Sequence, residues 1–323
     1  MLLFLAPNSP LPFVTQIKAS KTMTSKGVRR VLVGLLILLA GWEVAHGVRS
    51  AWYEYHVFHG ARKLPVVGAG AHEITMREVQ FSGARGDTIR GWYVPSRNGA
   101  TVILATGSES DRSSMWPYLR LFATAGFGVL LSDWPGTGTS DGVIGMGEVE
   151  RIALQNSVTY ALQQPDIREG RVGILGFSLG SYIGALAAAD PRIQVLVMEG
   201  VFDNPWSQTR AEYSKVSLGA RFGGLIGDYL AGLRPDDPRA SDAIAAQPSR
   251  PLLFVAGTAD KTVPLAVSRQ IYDAANAPKL FWEITNAGHG DYLSADPTYG
   301  ARLLDFMRGA LLAPATDAPQ QPR

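Results

Sequence analysis

Gly176-Phe177-Ser178-Leu179-Gly180 places a hydroxyl nucleophile between two glycines at a spacing suited to nucleophilic catalysis. The apolar run Val172-Gly173-Ile174-Leu175 precedes it, and Ser181-Tyr182-Ile183-Gly184-Ala185-Leu186-Ala187 follows. That order predicts a strand, a sharp turn and a helix rich in small residues. Ser178 then sits at the tip of a strained bend, its hydroxyl exposed above a sheet. The glycines answer a steric need, because a side chain at 176 or 180 would collide across the bend. The backbone N–H of Leu179 opens the helix and faces an incoming oxyanion. Gly138-Thr139-Ser140-Asp141-Gly142 has the same spacing. It follows Pro135-Gly136 and runs into Val143-Ile144-Gly145, so it reads as a loop. Context selects Ser178 over Ser140.

A serine hydroxyl is a weak nucleophile at neutral pH. It needs a base, and the base needs a carboxylate to orient it. His46, His56, His59 and His72 all precede the core strands, and His289 alone follows Ser178. His289 lies in Asn286-Ala287-Gly288-His289-Gly290-Asp291, just after the apolar run 280–284. Its flanking glycines let the imidazole swing over the strand ends. The carboxylate should end the preceding strand, and Leu253-Phe254-Val255-Ala256-Gly257-Thr258-Ala259-Asp260 supplies Asp260. Asp203 is the alternative acid, and Asp291 reads as a loop stabiliser. A second oxyanion donor is expected from Thr106-Gly107-Ser108, where Gly107 lets the backbone turn the N–H of Ser108 toward the site. Asp111 and Arg112 read as helix-start charges.

These residues need a scaffold that gathers strand ends. Short apolar runs recur at 101–105, 128–133, 172–177, 194–198, 252–256 and 280–284. Segments of helical period, such as 115–125 and 149–162, lie between most of them. Continuous apolar strands alternating with helices predict a parallel sheet covered on both faces. Active residues then belong at the carboxyl ends of the strands. Upstream, 73–81 and 88–94 flank Gly83-Ala84-Arg85-Gly86-Asp87, a hairpin signal. The long stretch at about 203–250 separates two core strands and predicts a small helical cap. Leu218, Phe222, Leu225, Ile226, Tyr229, Leu230 and Leu233 recur there at helical spacing, beside a stripe of Gly219, Gly223, Gly227 and Ala231. The stripe suits either a close-packed helix or a mobile apolar lid over an acyl pocket.

With 323 residues, 46% of them hydrophobic, the chain can build one large core. A net charge of +2 is no nucleic-acid signature. The lack of cysteine excludes disulfides, thiol nucleophiles and Cys-ligated metals. Lys18, Lys21, Lys26, Arg29 and Arg30 precede the first acidic residue, Glu43. The apolar run 31–42 follows this basic flank. It is short for a bilayer span and typical of a signal core. Residues 1–50 therefore read as a targeting segment, with 1–22 an upstream extension before Met23. Ala45-His46-Gly47 is a candidate cleavage site. An uncleaved anchor, with Trp42 and Trp52 at the interface, is the alternative. Either case places the rest outside the cytoplasm, held at the cell membrane or released as a secreted or periplasmic protein. Residues 51–70 read as a connector, 71–312 as the main domain and the Pro- and Gln-rich 313–323 as a disordered tail.

Taken in order, these motifs resemble the α/β-hydrolase superfamily over about residues 70–310. The resemblance is strongest to membrane-anchored serine hydrolases related to monoacylglycerol lipases and depalmitoylating thioesterases. It is carried by Thr106-Gly107-Ser108, the stretch from Asp133-Trp134-Pro135-Gly136 to Ser140, the elbow at Ser178, Gly257-x-x-Asp260-x-x-Val263-Pro264, and Gly288-His289-Gly290-Asp291. Members usually have His where Thr106 stands, and Tyr-Arg-Gly-Tyr-Gly where Trp134-Pro135 departs. The resemblance implies a mostly parallel sheet flanked by helices, with a small helical cap and a triad running Ser178, Asp260, His289 along the chain. It implies cleavage of a small-molecule acyl ester or thioester through an acyl-enzyme on Ser178, with no metal or organic cofactor. Acyl transfer, peptide cleavage and a catalytically inactive binding module are the alternatives on the same fold.

Overall fold

The computed structural model describes residues 24–59, 62–108, 110–213 and 215–313. The expected upstream extension at 1–22 and almost all of the expected tail lie outside them. Contacts divide the chain into two units, 1–43 and 44–323. The described part of the first unit, residues 24–43, is exposed along most of its length and lies almost wholly within α1 (Ser25–His59).

An eight-stranded sheet organises the second unit, in the order β1-β2-β4-β3-β5-β6-β7-β8. The hairpin of β1 (Arg77–Ser82) and β2 (Thr88–Val94) forms one edge, and β2 pairs antiparallel with β4 (Gly128–Ser132). From there β3 (Thr101–Ala105), β5 (Val172–Phe177), β6 (Ile193–Glu199), β7 (Leu252–Gly257) and β8 (Lys279–Ile284) run parallel. Every residue of β3 and β7 is buried. Strands covered on both faces have no solvent side, which is why they read as unbroken apolar runs.

Two layers of helices supply the cover. Leu119 and Phe122 of α2 (Trp116–Thr124) pack on one face with Leu303 and Met307 of α10 (Tyr299–Leu312). Leu154 and Val158 of α3 (Glu148–Leu162) and Ile183 of α4 (Leu179–Ala187) pack on the other. Between β6 and β7, where the cap is expected, lie α5 (Pro205–Tyr213), α6 (Leu218–Ala231) and α7 (Ala240–Ala246). Ile244 of α7 and Ile271 of α8 (Leu265–Ala274) join the second core, and the short α9 (Tyr292–Ala295) precedes α10.

The N-terminal helix differs from expectation. A connector is expected over 51–70, but α1 continues to His59. Glu43 and His46 end the apolar run, yet neither breaks a helix, and α6 packs against the continuation. A Cβ built on Gly47 would lie 2.9 Å from the carbonyl oxygen of Gly219, and one on Gly227 would lie 2.6 Å from Cβ of Glu54. A Cβ on Gly223 would overlap the Gly47 carbonyl. The glycine stripe is thus a packing face. The larger apolar residues of α6, Leu218, Phe222, Ile226, Tyr229 and Leu230, are exposed on its outer side rather than enclosing a cavity.

Candidate active site

Ser178 follows β5 and caps α4 with φ 52° and ψ −113°, a positive-φ conformation that a non-glycine residue adopts only under constraint. The constraint comes from both sides of the bend. Its N–H donates to the Glu199 carbonyl at 2.8 Å, and its own carbonyl accepts from Ser181 N–H at 2.9 Å. A Cβ on Gly180 would overlap the Ala105 carbonyl, and one on Gly176 would overlap Gly180. Only glycine lets β3, β5 and α4 meet this closely. The N–H of Leu179 lies in the first turn of α4, where no intrahelical acceptor exists.

The end of β3 brings up the second predicted donor. A Cβ on Gly107 would lie 3.5 Å from Cβ of Ser178, so the Thr106-Gly107-Ser108 turn runs beside the nucleophile. The buried Trp134 donates its indole N–H to the Thr106 carbonyl at 2.9 Å. The Trp134 departure thereby gains a role, since it fixes the carbonyl side of this turn. Asp133, fully buried, accepts from Arg112 Nη1 at 2.6 Å, Arg112 N–H at 2.8 Å and Thr139 N–H at 2.9 Å. Arg112, expected as a helix-start charge, does open a short helical turn, and it is also a buried ion-pair partner that ties this loop to the residue after β4. Asp111 does cap its short helical turn, accepting from Ser113 N–H at 2.8 Å. Ser140 is buried and structural: its hydroxyl accepts from Arg90 N–H at 2.8 Å and donates to the Asp133 carbonyl at 3.1 Å.

Asp260 follows β7. Its Oδ1 accepts from the N–H groups of Thr262 and Val263, both at 2.9 Å, and its Oδ2 lies 2.7 Å from Nδ1 of His289. One carboxylate oxygen is thus held by backbone while the other orients the imidazole. The Phe177 ring packs against that imidazole with centroids 4.8 Å apart, placing His289 next to the residue that precedes Ser178. Asp203 does other work. Its carboxylate accepts from Arg239 Nε at 2.7 Å and Ser241 N–H at 3.0 Å, opening α7. Asp291 begins α9, its carbonyl accepting from Ser294 and Ala295 N–H.

Glu199 is the residue that sequence reading misses. It ends β6, opposite Phe177 in register, and is completely buried. Tyr118 donates to its Oε2 at 2.7 Å and Tyr299 donates to Oε1. Burial pushes the carboxyl up to about 7, against the opposing pull of the two tyrosine hydrogen bonds. The buried Tyr292 hydroxyl stands close by. A Cβ on Gly200 would lie 3.0 Å from both that hydroxyl and Cε1 of His289. A polar layer therefore underlies the elbow and the imidazole. The available signal was an acidic residue closing an apolar strand next to the elbow strand.

Comparison with known proteins bears on the fold. Residues 89–247, which include Ser178 but neither Asp260 nor His289, match the X-Pro dipeptidyl-peptidase (S15 family). The uncharacterized protein YfhR of Escherichia coli (strain K12) is 24% identical over 246 residues, 72% of this chain and 81% of that protein. The uncharacterized protein Rv2307c of Mycobacterium tuberculosis (strain ATCC 25618 / H37Rv) is 26% identical over 250 residues, 76% of this chain and 82% of that protein. Among solved structures, the Pyrococcus furiosus esterase Pf2001 superposes with a TM-score of 0.65 at 18% identity, covering 78% of this chain and 99% of that one. The chain has the α/β-hydrolase fold. Its mostly parallel sheet flanked by helices is the architecture of that fold.

Proposed function

We propose that the protein is a serine hydrolase of carboxylic esters or thioesters, held at a membrane by α1. The observation that carries this reading is the Asp260–His289 pair, 2.7 Å apart and packed on Phe177 beside the strained Ser178. Asp260 fixes the tautomer in which His289 Nδ1 is protonated and Nε2 is free to accept. His289 Nε2 takes the proton from Ser178 Oγ as the oxygen attacks the acyl carbon. The developing oxyanion accepts hydrogen bonds from the N–H groups of Leu179 and Ser108. The intermediate collapses, and the alcohol or thiol leaves with the proton held by Nε2. Water, deprotonated by the same nitrogen, then cleaves the acyl-enzyme and restores Ser178.

The membrane part rests on α1, within which Ser25–His56 is long and apolar enough to cross a bilayer. One observation favours peptide cleavage as a second reading, the match of residues 89–247 to the S15 peptidase family. A fluorophosphonate should label the purified chain at Ser178. Side-by-side turnover of p-nitrophenyl esters, acyl thioesters and an X-Pro dipeptide anilide then separates the readings. Ester or thioester turnover lost in Ser178→Ala is the expected result. Labelling at another serine, or preference for the anilide, overturns the assignment.

A further inference from the structure

The outer face of α6 takes no part in the proposed chemistry, yet it is the most conspicuous surface of the cap. Leu218, Phe222 and Ile226 are 64%, 61% and 56% exposed, with Tyr229 and Leu230 beside them. Their spacing puts all five on one side of the helix, while Ala220, Gly223, Gly227 and Asp228 are buried on the other. A soluble surface rarely leaves so contiguous a patch to water.

The neighbour of this face points to its occupant. The edge of α6 formed by Gly219, Gly223 and Gly227 crosses residues 47–54 of α1, backbone against backbone. Small residues at such a crossing are the usual means of packing helices in membranes. Val48 and Trp52 on that part of α1, and Val44 just before it, are exposed as well, and the same helix contains the candidate span Ser25–His56. Polar anchors flank α6. Lys215 is exposed just before it, and Arg234, just after it, holds its guanidinium 3.9 Å from the Tyr229 ring centroid. Basic and aromatic groups at the ends of an apolar helix face suit the depth of lipid headgroups.

We propose that α6 lies in the membrane interface, its Leu218–Phe222–Ile226 face in lipid beside α1, so that the cap is a second membrane contact. This inference rests on α1 being a retained anchor. Because the chain has no cysteine, single cysteines can report position by position. Full-length Leu36→Cys, Phe222→Cys, Ile226→Cys and Leu280→Cys would carry an environment-sensitive fluorophore in phosphatidylcholine vesicles, with and without brominated acyl chains. Leu280 on β8 is the exposed apolar control. Fluorophosphonate labelling confirms that each variant is folded. An interfacial helix sinks its apolar face about 5–10 Å, so roughly half the emission at 36, 222 and 226 should be lost to bromine and little at 280. Quenching at 36, with 222 and 226 matching 280, overturns the inference and leaves the anchor standing. No quenching at any position removes both. Oxidative cross-linking of Phe222→Cys between two copies, without lipid quenching, assigns the face to a dimer and also overturns the inference.

Discussion

At the scale of single residues, the candidate site divides into groups that would touch substrate and groups that hold them. Asp260 and Asp203 are both buried or half-buried aspartates at neighbouring strand ends, and their hydrogen bonds separate them. Asp260→Asn should leave the fold intact and lower turnover by roughly 10⁴-fold, because the amide no longer enforces the imidazole tautomer. Asp203→Asn should cost mainly stability, through α7. Ester kinetics and thermal melts of the two variants check this, and the opposite ranking would move the acid to β6. Glu199 supports a different kind of experiment. An ordinary glutamate titrates near 4.5, and this one is pushed up to about 7 by burial. Unfolding therefore releases a proton between those values. The stability that Glu199 contributes is complete below 4.5 and is lost as pH rises through 7. The gap corresponds to at most about 3 kcal/mol. Glu199→Gln should flatten the decline in Tm between pH 5 and 8, read by melts across that range. An unchanged slope would show that the carboxyl is ionised in the folded protein throughout.

At the scale of elements, the strands were legible because burial on both faces leaves a plain signature. The runs 101–105 and 172–177 coincide with β3 and β5 end to end. Ser178, Asp260 and His289 were legible for the related reason that each closes or follows such a run. Long-range polar partners left no local trace. Nothing near Arg112 announces Asp133, and nothing near Glu199 announces Tyr299. The extent of α1 was hidden because its apolar run stops well before its helix does. Trp134 shows how a departure from family pattern acquires meaning only from its contact. Trp134→Phe removes the indole donor and strands a buried carbonyl. The bond to the Thr106 carbonyl is worth about 1 kcal/mol, and with the Ser108 N–H as the proposed oxyanion donor its loss should lower kcat about 5-fold with KM little changed. Steady-state kinetics on one ester decide it, and an unaltered kcat would mean the turn holds its position without Trp134.

At the scale of the whole chain, the basic flank before residue 31 predicts that the C-terminal side of α1 faces away from the cytoplasm. A phosphatase reporter fused after Arg323 should be active only if exported, and a cytoplasmic reporter in the same place should be silent. The α1–α6 crossing offers a second measurement. Gly223→Ala puts a methyl group where the Gly47 carbonyl already lies, an overpacking expected to cost about 1–3 kcal/mol. The cap should then be cleaved faster by protease near Lys215 while β3 to β8 stay protected. The crossing also has a genealogical consequence. With no side chain between the two backbones, neither helix can enlarge its contact residue alone, so positions 47 and 223 share one evolutionary fate. A descendant that lost its leading helix would be free to accumulate larger residues at 219, 223 and 227. Across homologues, disappearance of those glycines should follow disappearance of the helix, whether or not Ser178 is retained.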